Sequence, residues 1–141
     1  MLRYCFSAPT TDMGYGQWIG LQLANNTGGT PVPGVPIYID GDPDHAIDPT
    51  TVIGTEILPQ GSYALNSCGP ENSPSGTTGT VTLSTQPEGG QVVAVIYWNC
   101  PWGGANELMT QEVGGTWIVN VPPVPPQGAI GNVTVTFLRG V

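Results

Sequence analysis

At 141 residues the chain is long enough for one domain with a real core, and its 39% apolar content belongs to globular rather than disordered chains. Ten acidic residues face only Arg3 and Arg139, with no lysine, for a net charge of −8. That balance argues against nucleic acid as a partner, because binding there rests on Lys and Arg neutralising phosphates, and it disfavours electrostatic docking on anionic lipid.

Residues 1–14 read as an arm, with no period and with Pro9, Asp12 and Gly14 as punctuation. A single domain is expected over 15–141. In QWIGLQLAN (17–25), Ile19, Leu21 and Leu23 alternate with Gly20 and Gln22, the period of a half-buried strand. After the turn-rich NNTGGTPVPG comes a short strand, VPIYI, whose Pro36 suits a sheet edge. An acidic loop, DGDPDHAIDPT, follows. TVIGTEIL (51–58) and SYALNSC (62–68) read as strands flanking a hairpin-like Pro59-Gln60-Gly61.

TGTVTLS (78–84) alternates cleanly. QVVAVIYW (91–98) is nearly all apolar and is expected to be a central strand buried on both faces. NELMTQEV (106–113) and TWIVNV (116–121) flank Gly114-Gly115, a two-residue hairpin signal. After PPVPPQG, the segment AIGNVTVTFL (129–138) alternates Val133, Val135 and Phe137 with threonines. Glycine and proline exceed a quarter of the chain and fall between these runs, so the pattern predicts an all-β fold, a β-sandwich of two mainly antiparallel sheets.

Chemistry-bearing residues are few. His45 is the only histidine and lies far in sequence from Cys68 and Cys100, so a thiol nucleophile has no evident base, and no enzyme is expected. Asp40, Asp42, Asp44 and Asp48 have the every-other spacing that opens a calcium loop. The sixth position is His45 rather than Gly and the twelfth is Thr51 rather than Glu, so no metal and no cofactor are expected. SPSGTTG (73–79) has glycines but no lysine to hold phosphate. Three cysteines without a Cys-x-x-Cys spacing do not make a disulfide framework, and buried free thiols are the expectation, with a Cys68–Cys100 bridge left open.

The aromatic residues are more informative. YWNCPWGG (97–104) places Tyr97, Trp98, Cys100, Pro101 and Trp102 directly after an apolar run. Trp98, within the strand, is expected in the core. Trp102, after Pro and before Gly-Gly, is expected in a surface turn, where an indole with an apolar body and a wet N–H suits a membrane interface. No run reaches the roughly 18 apolar residues of a membrane helix. The N-terminus lacks an apolar signal region, so a cytoplasmic product released by a non-classical route is expected.

Several ordered blocks resemble the aegerolysin family: QWIGLQLANNTG, DGD at 40–42, SCGPENSPSGTTGTVTL at 67–83, YWNCPWG at 97–103, WIV at 117–119 and GAIGNVTV at 128–135. The resemblance implies a small acidic β-sandwich that recognises a membrane lipid or receptor. It further implies a larger MACPF-type partner that forms the pore, some bacterial members being insecticidal toxins of that two-component kind. A stand-alone lipid- or glycan-binding module is the alternative, and a homodimer is left open. Against the tryptophan and glutamate positions of the family's sphingolipid binders, Trp18 matches the first tryptophan and Trp102 the last. Gly34 stands where another tryptophan would be, and Ser75 where the glutamate would be. The lipid- or membrane-binding residues are therefore expected to be Trp102, Trp18, Ser75 and Tyr97. The departures put sphingolipid specificity in doubt and point to a bacterial producer.

Overall fold

Alternation in the first strand sets the geometry. In β1 (Trp18–Asn25), Ile19, Leu21 and Leu23 are each at most 1% exposed, while Gln22 lies in solvent. The computed structural model describes residues 17–29, 33–40, 52–69 and 76–140. Beyond β1 these contain β2 (Ile37–Ile39), β3 (Glu56–Ile57), β4 (Ser62–Cys68), β5 (Thr77–Ser84), β6 (Val92–Cys100), β7 (Glu107–Val113), β8 (Trp117–Asn120) and β9 (Gly131–Arg139). The strands form a four-stranded sheet in the order β4-β1-β9-β8 and a five-stranded sheet in the order β3-β2-β5-β6-β7. All pairings are antiparallel except β1 with β9, which run parallel with Leu21 beside Val133 and Leu23 beside Val135.

The inner faces meet in one core. Trp98, Phe137, Ile96, Leu83 and Ile39 are buried in it beside the β1 residues. Full burial of each such side chain stabilises by about 1.5–3 kcal/mol. Their positions follow from the period of two, because neighbours in sequence point to opposite faces. The β-sandwich expected from the sequence is thus the observed architecture.

Four local expectations are corrected. β6 is not buried on both faces: Val93, Ala94, Ile96, Trp98 and Cys100 are buried, but Val95, Tyr97 and Asn99 on its outer face are only half covered. β2 is not an edge, since the two-residue β3 pairs along its outer side and Pro36 precedes the strand. Only Glu56–Ile57 of the segment 51–58 is strand, because Val52–Gly54 turn instead, with Gly54 at φ 89°. Neither predicted hairpin pairs its flanking strands. Pro59-Gln60-Gly61 and Gly114-Gly115 each carry the chain from the five-stranded sheet to the four-stranded one. Gly114 is required at its crossing, because a Cβ there would overlap the carbonyl oxygen of Val92.

Cys68 is disulfide-bonded, which corrects the expectation of a free thiol, whereas Cys100 is a buried free thiol. The two therefore do not bridge each other. The arm and most of the acidic loop, including His45, lie outside the described residues.

Candidate lipid-contact site

Strand directions give the sandwich two distinct ends. β1, β5, β7 and β9 begin, and β4, β6 and β8 finish, at the end where Trp102 lies. Pro101 stops β6 because proline has no N–H to continue a ladder. The chain then bends through Trp102, Gly103 and Gly104, and the indole stands 47% exposed. Bonds from two directions hold the bend. Gln17 Nε2 donates to the Pro101 carbonyl at 2.5 Å, and Gln17 is itself fixed where its carbonyl accepts from Gly69 N at 3.0 Å. Asn106 Nδ2 donates to the carbonyls of Pro125 and Gly128, both at 2.9 Å, and Asn106 N donates to Pro126 at 3.0 Å. The proline-rich connection between β8 and β9 is thereby pinned beside the Trp102 turn.

Between these parts lies a shallow cleft of about 180 Å³, lined by Gln17, Trp102, Gly103, Gly104, Gln127 and Gly128. It is smaller than the roughly 300–1,000 Å³ of small-molecule pockets, so it can admit part of a headgroup and not a whole ligand. Among the described residues its lining carries amides and backbone groups and no charge. Such a surface hydrogen-bonds a neutral or zwitterionic group beside an apolar ring.

The support beneath is buried and polar. Trp98 Nε1 donates to Thr77 Oγ1 at 3.3 Å, and Thr77 Oγ1 hydrogen-bonds Ser67 Oγ at 2.6 Å, tying β6 and β5 to β4 in the facing sheet. The Cys100 thiol donates to the Gly128 carbonyl at 3.4 Å, with the Trp18 carbonyl at 4.0 Å. Burial pushes this thiol above its ordinary range, and its backbone partners offset that only in part. A protonated thiol under the surface is a structural group rather than a nucleophile.

The predicted residues are only partly gathered. Trp102 lines the cleft. Trp18 is half-buried at the same end, opposite Cys68 on the outer face of the four-stranded sheet, and does not line the cleft. Tyr97 is half-buried on the outer face of the other sheet, between Thr80 and Met109. Ser75 lies outside the described residues, as do Asp42, Asp44 and Asp48. Asp40 accepts a hydrogen bond from Ser84 Oγ at 3.0 Å, and no metal-binding cluster occurs among the described residues.

Gly34 is at the opposite end, where a Cβ would lie 2.7 Å from Pro59 Cβ and 3.1 Å from Gly28 Cα. An aromatic residue at that position in this fold would not wall the Trp102 cleft. Sequence reasoning missed Gln17, Asn106 and Gln127. The one available signal was the proline-rich PPVPPQG, a connection without strand pairing that needs an anchor, and Asn106 supplies it.

Comparison with known proteins adds three findings. The sequence profile of the aegerolysin family matches residues 34–140. Aegerolysin Aa-Pri1 of Cyclocybe aegerita is 31% identical over 134 residues, covering 89% of this chain and 92% of the relative. Asp-hemolysin of Aspergillus fumigatus is 35% identical over 104 residues, covering 72% and 73%. The crystal structure of IP-1A from Alcaligenes faecalis superposes with a TM-score of 0.66 at 29% identity, covering 91% of this chain and 94% of that one.

Proposed function

This chain belongs to the aegerolysin family, and from that premise we propose that it is the membrane-recognition component of a two-component pore-forming toxin, with its Trp102 end facing the membrane. The observation that carries the reading is the half-exposed indole of Trp102 on a braced turn beside a cleft whose described lining is uncharged. An indole gains at a membrane interface because its ring leaves water while its N–H stays hydrated. With no lysine and a net charge of −8, attraction to anionic lipid is not the driving force. The target is a neutral or zwitterionic lipid, or a membrane receptor.

The pore itself is assigned to a larger MACPF-type partner. No described helix is long and apolar enough to cross a bilayer. The two longest strands among the described residues, β6 and β9, have nine residues each and direct buried side chains into the core. Unzipping either strand to build a barrel would expose that core. The chain carries no catalytic step in this reading: it binds, concentrates on the target cell and recruits. An insecticidal target is the narrower form of the proposal.

Dye release from vesicles tests the division of labour. The purified chain should bind vesicles of target-cell lipid without releasing dye, and release should need the larger protein. Efficient release by the chain alone at low concentration would sink the proposal.

A further inference from the structure

A cavity larger than the Trp102 cleft lies at the other end of the sandwich. From Val92 to Cys100, β6 rises eight steps, so the two ends are roughly 26 Å apart. The cavity encloses about 400 Å³, and its lining includes Gln91, Gly114, Gly115, Thr116, Trp117 and Arg139. That volume falls within the roughly 300–1,000 Å³ range of small-molecule sites.

Arg139 is the unexpected residue. On β9 the inward positions run Val133, Val135, Phe137 and then Arg139, so a cation continues the core-facing row. Arg139 pairs in register with Trp117, and its guanidinium lies 5.6 Å from the centroid of that indole, a distance at which the ring face attracts the cation. Its Nε is buried and has no hydrogen-bond partner. A buried donor left unpaired is unfavourable, and folding alone gives no return for it.

The charge pattern sharpens the point. The chain has ten acidic residues and two basic ones, yet among the described residues no Asp or Glu lines this cavity. One of its two basic side chains thus faces no carboxylate among the described residues lining the cavity. The rim is also built before any ligand arrives: Gly114 N donates to the Val93 carbonyl, Trp117 N to Gly114, and Gly140 N to Thr116, at 2.9, 2.9 and 2.6 Å.

We propose that this cavity is a second binding site, for a small organic oxyanion, a carboxylate or phosphate ester carried on an apolar body. Arg139 would pair with the oxyanion through its free donors, whose planar fork matches such groups. Trp117 and the adjoining apolar wall would take the body. The site is separate from the Trp102 surface and does not depend on its lipid reading.

The test is an NMR titration of the ¹⁵N-labelled chain with phenylacetate, phenyl phosphate and uncharged 2-phenylethanol. Either anion should saturate with a Kd below about 1 mM, with shifts at Gly114 to Trp117 and at Arg139 Nε–H, and the alcohol should bind at least about tenfold more weakly. Comparing the two anions tells which oxyanion is preferred. Arg139→Gln should weaken anion binding tenfold or more, by the loss of a charge-assisted bond of about that worth. Should that variant fold poorly, Thr116→Trp decides, because it blocks the mouth from an exposed position and should abolish binding. Absence of saturable binding by both anions, equal binding of the alcohol, shifts confined to the Trp102 end, or unchanged binding in the folded variants would each overturn the assignment.

Discussion

Replacing Trp102 with alanine separates membrane contact from folding, and the structure sets the size of both effects. The ring is 47% exposed. A tryptophan buries up to about 250 Å², so some 115 Å² remains to be taken out of water on binding. At about 25 cal/mol per Å² that is near 3 kcal/mol, on the order of a hundredfold in Kd. The indole N–H edge stays hydrated at an interface, so Trp102→Ala should weaken vesicle binding by roughly tenfold to a hundredfold. The folding cost should be smaller, about 2 kcal/mol or less, because the site opens to solvent and leaves no closed cavity. Trp98→Ala is the contrast. That ring is 1% exposed and donates to Thr77, so its loss should cost about 3–5 kcal/mol. Vesicle sedimentation and thermal unfolding of both variants give the answer. Normal binding by folded Trp102→Ala, or an unfolding loss matching that of Trp98→Ala, would refute the reasoning.

Three further outcomes follow from particular residues. Among the described residues no carboxylate lines the Trp102 cleft, so sphingomyelin/cholesterol and ceramide phosphoethanolamine vesicles should bind weakly. Gln127→Glu should strengthen binding by up to about fivefold, the worth of an exposed ion pair; titration with no gain would remove that explanation. The folded Cys100 thiol is raised, chiefly by burial, above its ordinary value of 9.0, so the protonated form is the one the fold favours. Its contribution to stability is full below that value and is lost as pH rises toward and through the folded pKa. Thermal unfolding should therefore fall more steeply above pH 9.0 in the unmodified chain than in Cys100→Ala, and parallel slopes would count against it. Gly34→Trp should destabilise by about 1–3 kcal/mol through overpacking against Pro59 and Gly28, without improving lipid binding; a gain in sphingolipid affinity would show that this end takes part after all.

How far the sequence could be read depended on whether the deciding contact was local. β1, β4, β5 and β9 were legible because one inward face imposes a period of two, which a strand carries within itself. The connections were not, because turn chemistry says that the chain reverses and not which sheet it enters. Gly114-Gly115 has the composition of a hairpin. Its role at a crossing is set instead by Val92, whose carbonyl occupies the space of a Cβ, and by the Gly114 N bond to Val93. At the other crossing, Gln60 takes φ 67° and donates its N–H to the Asn25 carbonyl in the facing sheet. β6 misled in another way. Val95 and Tyr97 are apolar enough to suggest two buried faces, yet they lie on an outer surface shaded by neighbouring strands, a placement β-branched and aromatic side chains also favour.

The same distinction governs the two ends of the molecule. Trp102 announces itself, because Pro before it and Gly-Gly after it force a turn and turns lie on the surface. Arg139 does not: one cation near the end of an alternating strand reads as a solvated terminus. Only the register that sets it opposite Trp117, in line with Phe137, turns it toward the space between the sheets. Substituting either residue should therefore leave the chemistry of the other end untouched. Loss of Trp102 should weaken lipid contact with anion binding intact, and loss of Arg139 should do the reverse. Coupled losses in folded variants would mean that the ends, roughly 26 Å apart along β6, do not act separately.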